Sequence, residues 1–542
     1  MATQIRDTEF GHLIRFVSGN KLFQYPDEID PSLWKQSTQR NTSSTPTPSG
    51  EQVKDTQGVG LQEIGANNVV ENDRDIYLVD WYGPDDPENP QNWSSNWKFL
   101  VLLLMCILNF SFYIASSIYV PGIPNIMEDF GVSEIVATLG LSLFTLGYGL
   151  GPMLWAPMSE IPRLGRSPLY FWTFFAFILL QLPTGFAVNI PMFLVFRILT
   201  GFLGSPPLAV GGATIADMYD PARAGYGFCI LSSFGVLGPV FGPIIGGFAA
   251  PAEGWRWTIW IFTWLCALVL VMIFFLLPET SAANILLRRA KRLRNVTGDN
   301  RLRSKSEIDA AHYTAKDHLR VLGRAFTLTF SEPIVFFMDL YSALLYGVLF
   351  LWFESFPLVF GEIYGFSTGL QGVAFLGIFV GALVTVPFYL LWVRYGIIPK
   401  FAKPNFKPEM VLPPTFVGAI ALPACLFWYG WTARESVHWI VPIIGSSLFT
   451  VAVVTLFNSV FSYLGISYPA SVGSIFAGNA LFRASFGASF PLFARELFRH
   501  LGIGPGNSLL GGIAVCFIPI PFIFYRYGEK IRHISKNARH DI

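Results

Sequence analysis

The chain has 542 residues, a formal net charge of +1, 52% hydrophobic residues and only 13% charged ones. Soluble domains carry about 25% charge, so this composition excludes an ordinary soluble fold. Runs such as 99–120 and 259–278 are predominantly apolar and long enough for a hydrocarbon core, which takes about 20 residues. They lack the period-two alternation of a membrane β-barrel.

In chain order, residues 1–97 are mostly polar and include the Ser/Thr/Pro-rich stretch "NTSSTPTPSG" at 41–50. They read as a cytoplasmic segment, largely disordered, without a signal peptide. Twelve spans follow, at 98–120, 134–155, 168–188, 191–213, 224–250 and 256–278, then 333–359, 367–392, 412–431, 437–464, 470–494 and 507–527. The layout divides into a six-helix bundle at 98–280, a basic linker at 281–332, a second six-helix bundle at 333–528 and a tail at 529–542. The expected class is an all-α membrane protein with 12 transmembrane helices in two bundles. A faint echo between 147–167 and 377–397 supports internal repetition.

Basic residues in short loops set the orientation. Arg163, Arg166, Arg223, the run "LLRRAKRLR" (286–294), Arg394, Lys400, Lys403, Lys407, Arg526, Lys530 and Arg532 fall in even-numbered loops or the tail. Both termini are therefore expected in the cytoplasm, with Arg256, Arg434, Arg495 and Arg499 as outside-facing exceptions. The linker run reads as an orientation signal, or as an amphipathic helix on the inner leaflet.

No Walker sequence is present, which argues against ATP-driven transport. The sequence has no nucleophile–base arrangement and no zinc motif, so no enzyme activity, metal or cofactor is expected. All five cysteines lie in predicted spans as packing residues.

Several stretches carry a family resemblance in a fixed order. They are "WYGPDDPENPQNW" (81–93), "GPMLWAPMSEIPRLGRS" (151–167), "RILTG" (197–201), "GGATIADMYD" (211–220), "GVLGPVFGPIIGG" (235–247), "WRWTIW" (255–260), "PET" (278–280), "WFESFP" (352–357) and "FAGNALFRASFGASFPLF" (476–493). The sequence resembles the major facilitator superfamily, and within it the twelve-span fungal drug:proton antiporters, the yeast pumps for fluconazole, benomyl and methotrexate resistance. Trp155 and Pro162 depart from the superfamily's loop pattern. The resemblance implies a plasma-membrane multidrug exporter that exchanges small hydrophobic compounds for protons by alternating access. It implies a monomer in the lipid bilayer with no nucleic-acid partner. A proton-coupled importer of the same fold, or a transporter-like receptor, are the alternatives.

Ionisable groups within spans are costly and usually face a cavity or a partner. Arg197, Glu354 and Asp339 are the proton-coupling candidates, Arg197 being either a tuner of a nearby carboxylate or a structural clamp. Glu160, Arg163, Arg166 and Asp217 form an expected gating charge network that locks the two halves when the inside is closed. Tyr119, Tyr341, Tyr346, Asn479, Arg483, Phe486 and Phe490 are substrate-cavity candidates by helical position. In the antiporter motif, Gly238, Gly242 and Gly246 form one stripe, and Gly235, Pro239, Pro243 and Gly247 an adjacent one. The expected partner of this seam is span 8, through Gly377 and Gly381.

Overall fold

The computed structural model describes residues 5–30, 76–311, 323, 326–401, 403, 406–535 and 537–539. Among the described residues the only sheet is a parallel pair, Tyr77–Val79 with Leu302–Ser304. Everything else regular is helical. Span 1 is Ser95–Ser117, span 2 Glu134–Glu160, span 3 Ser167–Gly185, and span 4 Ile190–Gly204 continued by Pro206–Met218. Span 5 is Pro221–Glu253 and span 6 Trp255–Leu276. Span 7 is Pro333–Phe356, extended by wider π turns at Pro357–Ile363, and span 8 begins with Thr368–Ala374 and runs through Leu376–Trp392. Spans 9 to 11 are Pro413–Thr432, Ile440–Ser467 and Val472–Leu501, and span 12 is Ile503–Phe517 continued by Pro519–Ile534.

Eleven of these helices are long and apolar enough to cross a membrane. Span 11 falls short because Arg483, Arg495, Glu496 and Arg499 lie along it. Its position explains the polarity, since it packs between span 7 and span 2, near the centre of the molecule.

Helix packing repeats with an offset of six. Span 1 packs on 5, 2 on 4 and 3 on 6; in the other half span 7 packs on 11, 8 on 10 and 9 on 12. The two halves meet through span 2 against 11 and span 5 against 8, which this repetition would interchange. Backbone geometry repeats as well. Gly254, between spans 5 and 6, has φ 85° and ψ 169°, and Gly502, between spans 11 and 12, has φ 83° and ψ 165°. Only glycine adopts that conformation at low cost, so both turns are specified by a single residue type.

Residues 5–30 and 76–94 depart from the expectation of an N-terminal segment without a fold. Helix Glu9–Val17 docks against the ends of spans 3 and 6, and the backbone of Thr8 bridges to Pro278. Phe10 packs on Phe274 and Phe275 with ring centroids 6.0 and 4.8 Å apart. The linker helix Ala282–Thr297 supplies the cations. Arg289 meets Asp86 at 2.7 Å and Glu88 at 3.0 Å, while Arg292 meets Asp27 and Glu88 at 3.1 Å each. Burial works against the Arg289 charge, but Glu88 and Asp86 outweigh it and hold the guanidinium above its usual pKa. The basic run therefore turns three of its arginines toward protein carboxylates, Arg294 toward Glu307 at 2.7 Å and Arg289 and Arg292 toward the N-terminal segment. Sequence composition misses the latter two because their acidic partners lie some two hundred positions away. Residues 31–75 lie outside the described residues.

Candidate functional site

Where the halves meet, a cavity opens between spans 1, 4, 5, 7, 10 and 11. Its walls include Asn109, Tyr113, Gly212, Phe228, Ser232, Tyr346, Phe457, Asn458, Phe461, Phe476 and Arg483. Most lining atoms are apolar, with a few polar groups set among aromatic rings. Ser232 of span 5 donates to Asn458 Oδ1 of span 10 at 3.0 Å, joining the halves at the cavity wall.

Among the described residues Arg483 is the one charged residue in that wall. It is buried, and its guanidinium sits over the rings of Tyr346, Phe457 and Phe461 at 5.0, 5.1 and 5.7 Å. Ring faces attract a cation, yet Nε has no hydrogen-bond partner among the described residues. A buried donor without an acceptor costs about 1–3 kcal/mol, so Nε is an unsatisfied polar group in the wall.

The cavity expectations divide. Tyr346 and Arg483 line it. Tyr119 does not: its hydroxyl donates to Ala137 O at 3.4 Å and its ring packs on Phe193. Tyr341 turns to Phe517 of span 12, and Asn479 is fully buried against Asp339. Phe486 and Phe490 stack on each other, and Phe490 lies over Gly347 of span 7. Helical position alone gives which residues share a face. The direction of that face depends on neighbours that are remote in sequence. Asn109, Tyr113, Ser232, Asn458, Phe457 and Phe461 were missed; the signal was available in Asn109 and Tyr113, one turn apart within an otherwise apolar span.

Arg197 meets no carboxylate among the described residues. Its Nε donates to Gly140 O and its Nη2 to Ala115 O, both at 3.0 Å, and its cation lies over Tyr119 and Phe144. Ala115 is among the last four residues of the span 1 helix, whose carbonyls have no partner within the helix. Arg197 is thus a clamp between spans 1, 2 and 4. Asp339 accepts from Asn479 Nδ2 at 2.8 Å, and its second oxygen has no partner among the described residues. Glu354 pairs with Arg495 Nε at 3.3 Å, and the same Arg495 pairs with Glu134 at the start of span 2. This Glu134–Arg495–Glu354 chain joins the two halves at the face opposite the linker. It also gives Arg495, an exception to the charge rule, a specific role; Arg256 likewise pairs with Asp129 at 2.6 Å.

The expected gating cluster separates. Arg166 pairs with Asp217 at 2.5 Å, and its backbone N–H donates to Glu279, all within the first half. Burial works against the Arg166 charge, but Asp217 outweighs it and raises the pKa. Arg163 is exposed. Glu160 alone reaches across: its carboxylate lies at the first turn of span 11, where a side chain at Gly473 would meet it at 2.8 Å. Helix N-termini favour negative charge there.

The antiporter stripe also has a different partner. A Cβ at Gly238, Gly242 or Gly246 would run into Tyr113, Ser117 or Ile118 of span 1. Pro243 has no N–H, which leaves the Pro239 carbonyl without its helical donor. Ser117 Oγ supplies one at 2.9 Å. Of the second row only Pro243 and Gly247 face span 8, Gly247 lying against Thr368 and Gly369 and Pro243 against Gly372, while Gly235 lies against Tyr113 and Asn109 of span 1. Gly377 and Gly381 pack instead on Ile443 and Ser447 of span 10.

A profile of the Major Facilitator Superfamily matches residues 105–494. The chain is 40% identical to "Transporter mfs1" of Schizosaccharomyces pombe, covering 98% of this chain and 99% of that one. It is 37% identical to the "Cycloheximide resistance protein" of Candida maltosa, over 99% and 100% of the two chains. It is 40% identical to "Fluconazole resistance protein 1" of Saccharomyces cerevisiae, over 84% of each. Among solved structures, the fold resembles the proton:xylose symporter XylE bound to 6-bromo-6-deoxy-D-glucose. That match has a TM-score of 0.57 and 15% identity, and covers 80% of this chain and 96% of that one. The chain belongs to the Major Facilitator Superfamily and is a membrane transporter, not an enzyme.

Proposed function

We propose that this transporter exports small hydrophobic, drug-like compounds across the plasma membrane in exchange for protons, as a monomer with both termini in the cytoplasm. The observation that carries the reading is the cavity between the halves, walled by aromatic rings around the unpartnered Nε of Arg483. Apolar walls with few polar anchors suit planar apolar ligands. They suit sugars poorly, because each hydroxyl would lose a hydrogen-bond partner on entry. The names of the relatives, resistance proteins for cycloheximide and fluconazole, support the same substrate class.

Alternating access then works through contacts at both ends of the cavity. Glu134–Arg495–Glu354 closes the outer end, and Glu160 at the first turn of span 11 closes the inner end. Asp339 and Glu354 are the proton carriers. Each is a buried carboxylate with one oxygen lacking a partner among the described residues. Protonation of Glu354 removes its attraction for Arg495 and loosens the outer closure, which couples proton entry from outside to outward release.

The test uses yeast lacking its own pumps and expressing this chain. Sensitivity to fluconazole, cycloheximide and unrelated apolar inhibitors should fall. Dissipating the pH gradient should stop efflux of a fluorescent substrate. Asp339→Asn and Glu354→Gln should reach the membrane but lose gradient-driven efflux. Efflux that persists without a proton gradient would overturn the coupling, and unchanged sensitivity to every compound would overturn export.

A further inference from the structure

We propose that residues 9–22 form an in-plane anchor whose apolar face lies in the lipid leaflet beside the ends of spans 3 and 6. Helix Glu9–Val17 has two distinct faces. Gly11 and Arg15 are buried, and Arg15 is fixed by Glu28 at 2.6 Å and by the Phe23 carbonyl at 2.7 Å. The opposite face carries Leu13, Phe16 and Val17, which are 50, 84 and 75% exposed, with Leu22 at 58% in the following turn. At 100° per residue these three helix positions share one arc. Water would penalise four large apolar side chains held out together, by about 25 cal/mol for each Å² left wet.

The surface beside this helix identifies the covering phase. Trp264, Leu268, Val271 and Phe275 form an exposed stripe along span 6, spaced by one helical turn. That stripe is the surface a membrane span presents to acyl chains. Phe10 packs directly on Phe275 at its end, so the anchor's apolar face continues the lipid-facing belt. Trp172, exposed near the start of span 3, marks the same level, as aromatic side chains do at membrane interfaces. Lys21 is exposed in the turn after the helix, and a cation there suits lipid phosphates. Amphipathic helices of this kind sink about 5–10 Å into the headgroup boundary. The anchor would hold residues 5–30 against the bilayer, and Arg292–Asp27 ties them to the linker helix. Under the proposed orientation the leaflet is the cytoplasmic one, but the anchor itself does not rest on the transport reading.

The test places a nitroxide on the full-length protein in nanodiscs of mixed neutral and anionic phospholipid. Leu13→Cys, Phe16→Cys and Val17→Cys are labelled one at a time in a Cys516→Ser background, with Lys291→Cys as the aqueous reference. Collision with dissolved oxygen, which concentrates in lipid, is compared with collision with a water-soluble nickel chelate. The ratio of oxygen to nickel accessibility should be several-fold higher at all three positions than at Lys291. Ratios equal to the Lys291 value would overturn the anchor. Dipolar broadening at Phe16 that vanishes on dilution with unlabelled protein would also overturn it, by assigning the face to a second copy. Should Phe16→Cys misfold, Leu13→Cys and Leu22→Cys carry the same expectation. No transport is read, so failure of this proposal and failure of the export reading are separable.

Discussion

Glu134→Gln tests the outer closure directly. The substitution keeps the shape of the side chain and removes its charge, so Arg495 keeps only Glu354 as an ionic partner. The Arg495–Glu134 pair is partly shielded, with side chains 29% and 23% exposed. A fully exposed pair contributes about 0.2–1 kcal/mol, and a hydrogen bond to a charged group about 1.5–3 kcal/mol. An intermediate exposure places the loss near 1 kcal/mol, about a fivefold change in an equilibrium constant. Because the pair joins span 2 to span 11, that energy is lost only from the conformer closed on this side. The outward-open population should therefore rise about fivefold. Spin-label distances between the ends of spans 2 and 11 would measure it in nanodiscs at neutral pH. Arg495→Ala should shift the balance further, since it also leaves Glu354 buried without a cation; breaking one partner of a buried pair costs about 3–5 kcal/mol. Unchanged distance distributions in both variants would refute the assignment of this chain of charges as a closure.

Gly242→Leu should destabilise the first half by about 1–3 kcal/mol, because its Cβ would collide with Ser117 and the Ile118 backbone. A lower thermal midpoint in detergent checks this, and a wild-type midpoint would contradict the packing on span 1. Arg483→Gln should weaken binding of a fluorescent apolar probe at least about tenfold, by removing a charged donor worth about 1.5–3 kcal/mol. Equal affinity would remove Arg483 from the site. His12 reports on docking of the N-terminal segment. Burial, helped by Arg288, lowers its pKa from 6.5 to about 3. The released segment therefore binds one more proton between those values, and docking weakens as pH falls through that window. Protection against hydrogen exchange over residues 5–30, taken relative to the intrinsic exchange rate at each pH, should fall between pH 7 and 5 more in the wild type than in His12→Gln, and equal slopes would refute the cause.

The sequence by itself determined the twelve spans, the two halves around a basic linker and the family, since each rests on a local signal. Apolar runs of spanning length are local, and so are the ordered motifs from 81 to 493. Span 11 was legible despite its charges because apolar turns flank them. The tertiary structure decided what faces what. A residue's helical phase follows from its neighbours in sequence, but the direction of that phase depends on helices one to three hundred positions away. Arg483 and Tyr346 reached the cavity, while Tyr119, Tyr341 and Asn479 turned into the packed interior. Arg197 found carbonyls rather than a carboxylate. The bare stripe at 235–247 found span 1 along most of its length and span 8 only at Pro243 and Gly247, because a smooth helix face fits whichever neighbour the topology brings within reach. The N-terminal segment shows the same limit. It reads in sequence as polar and largely disordered, and only the fold places Asp27, Asp86 and Glu88 around Arg289 and Arg292, where burial strengthens the pairing.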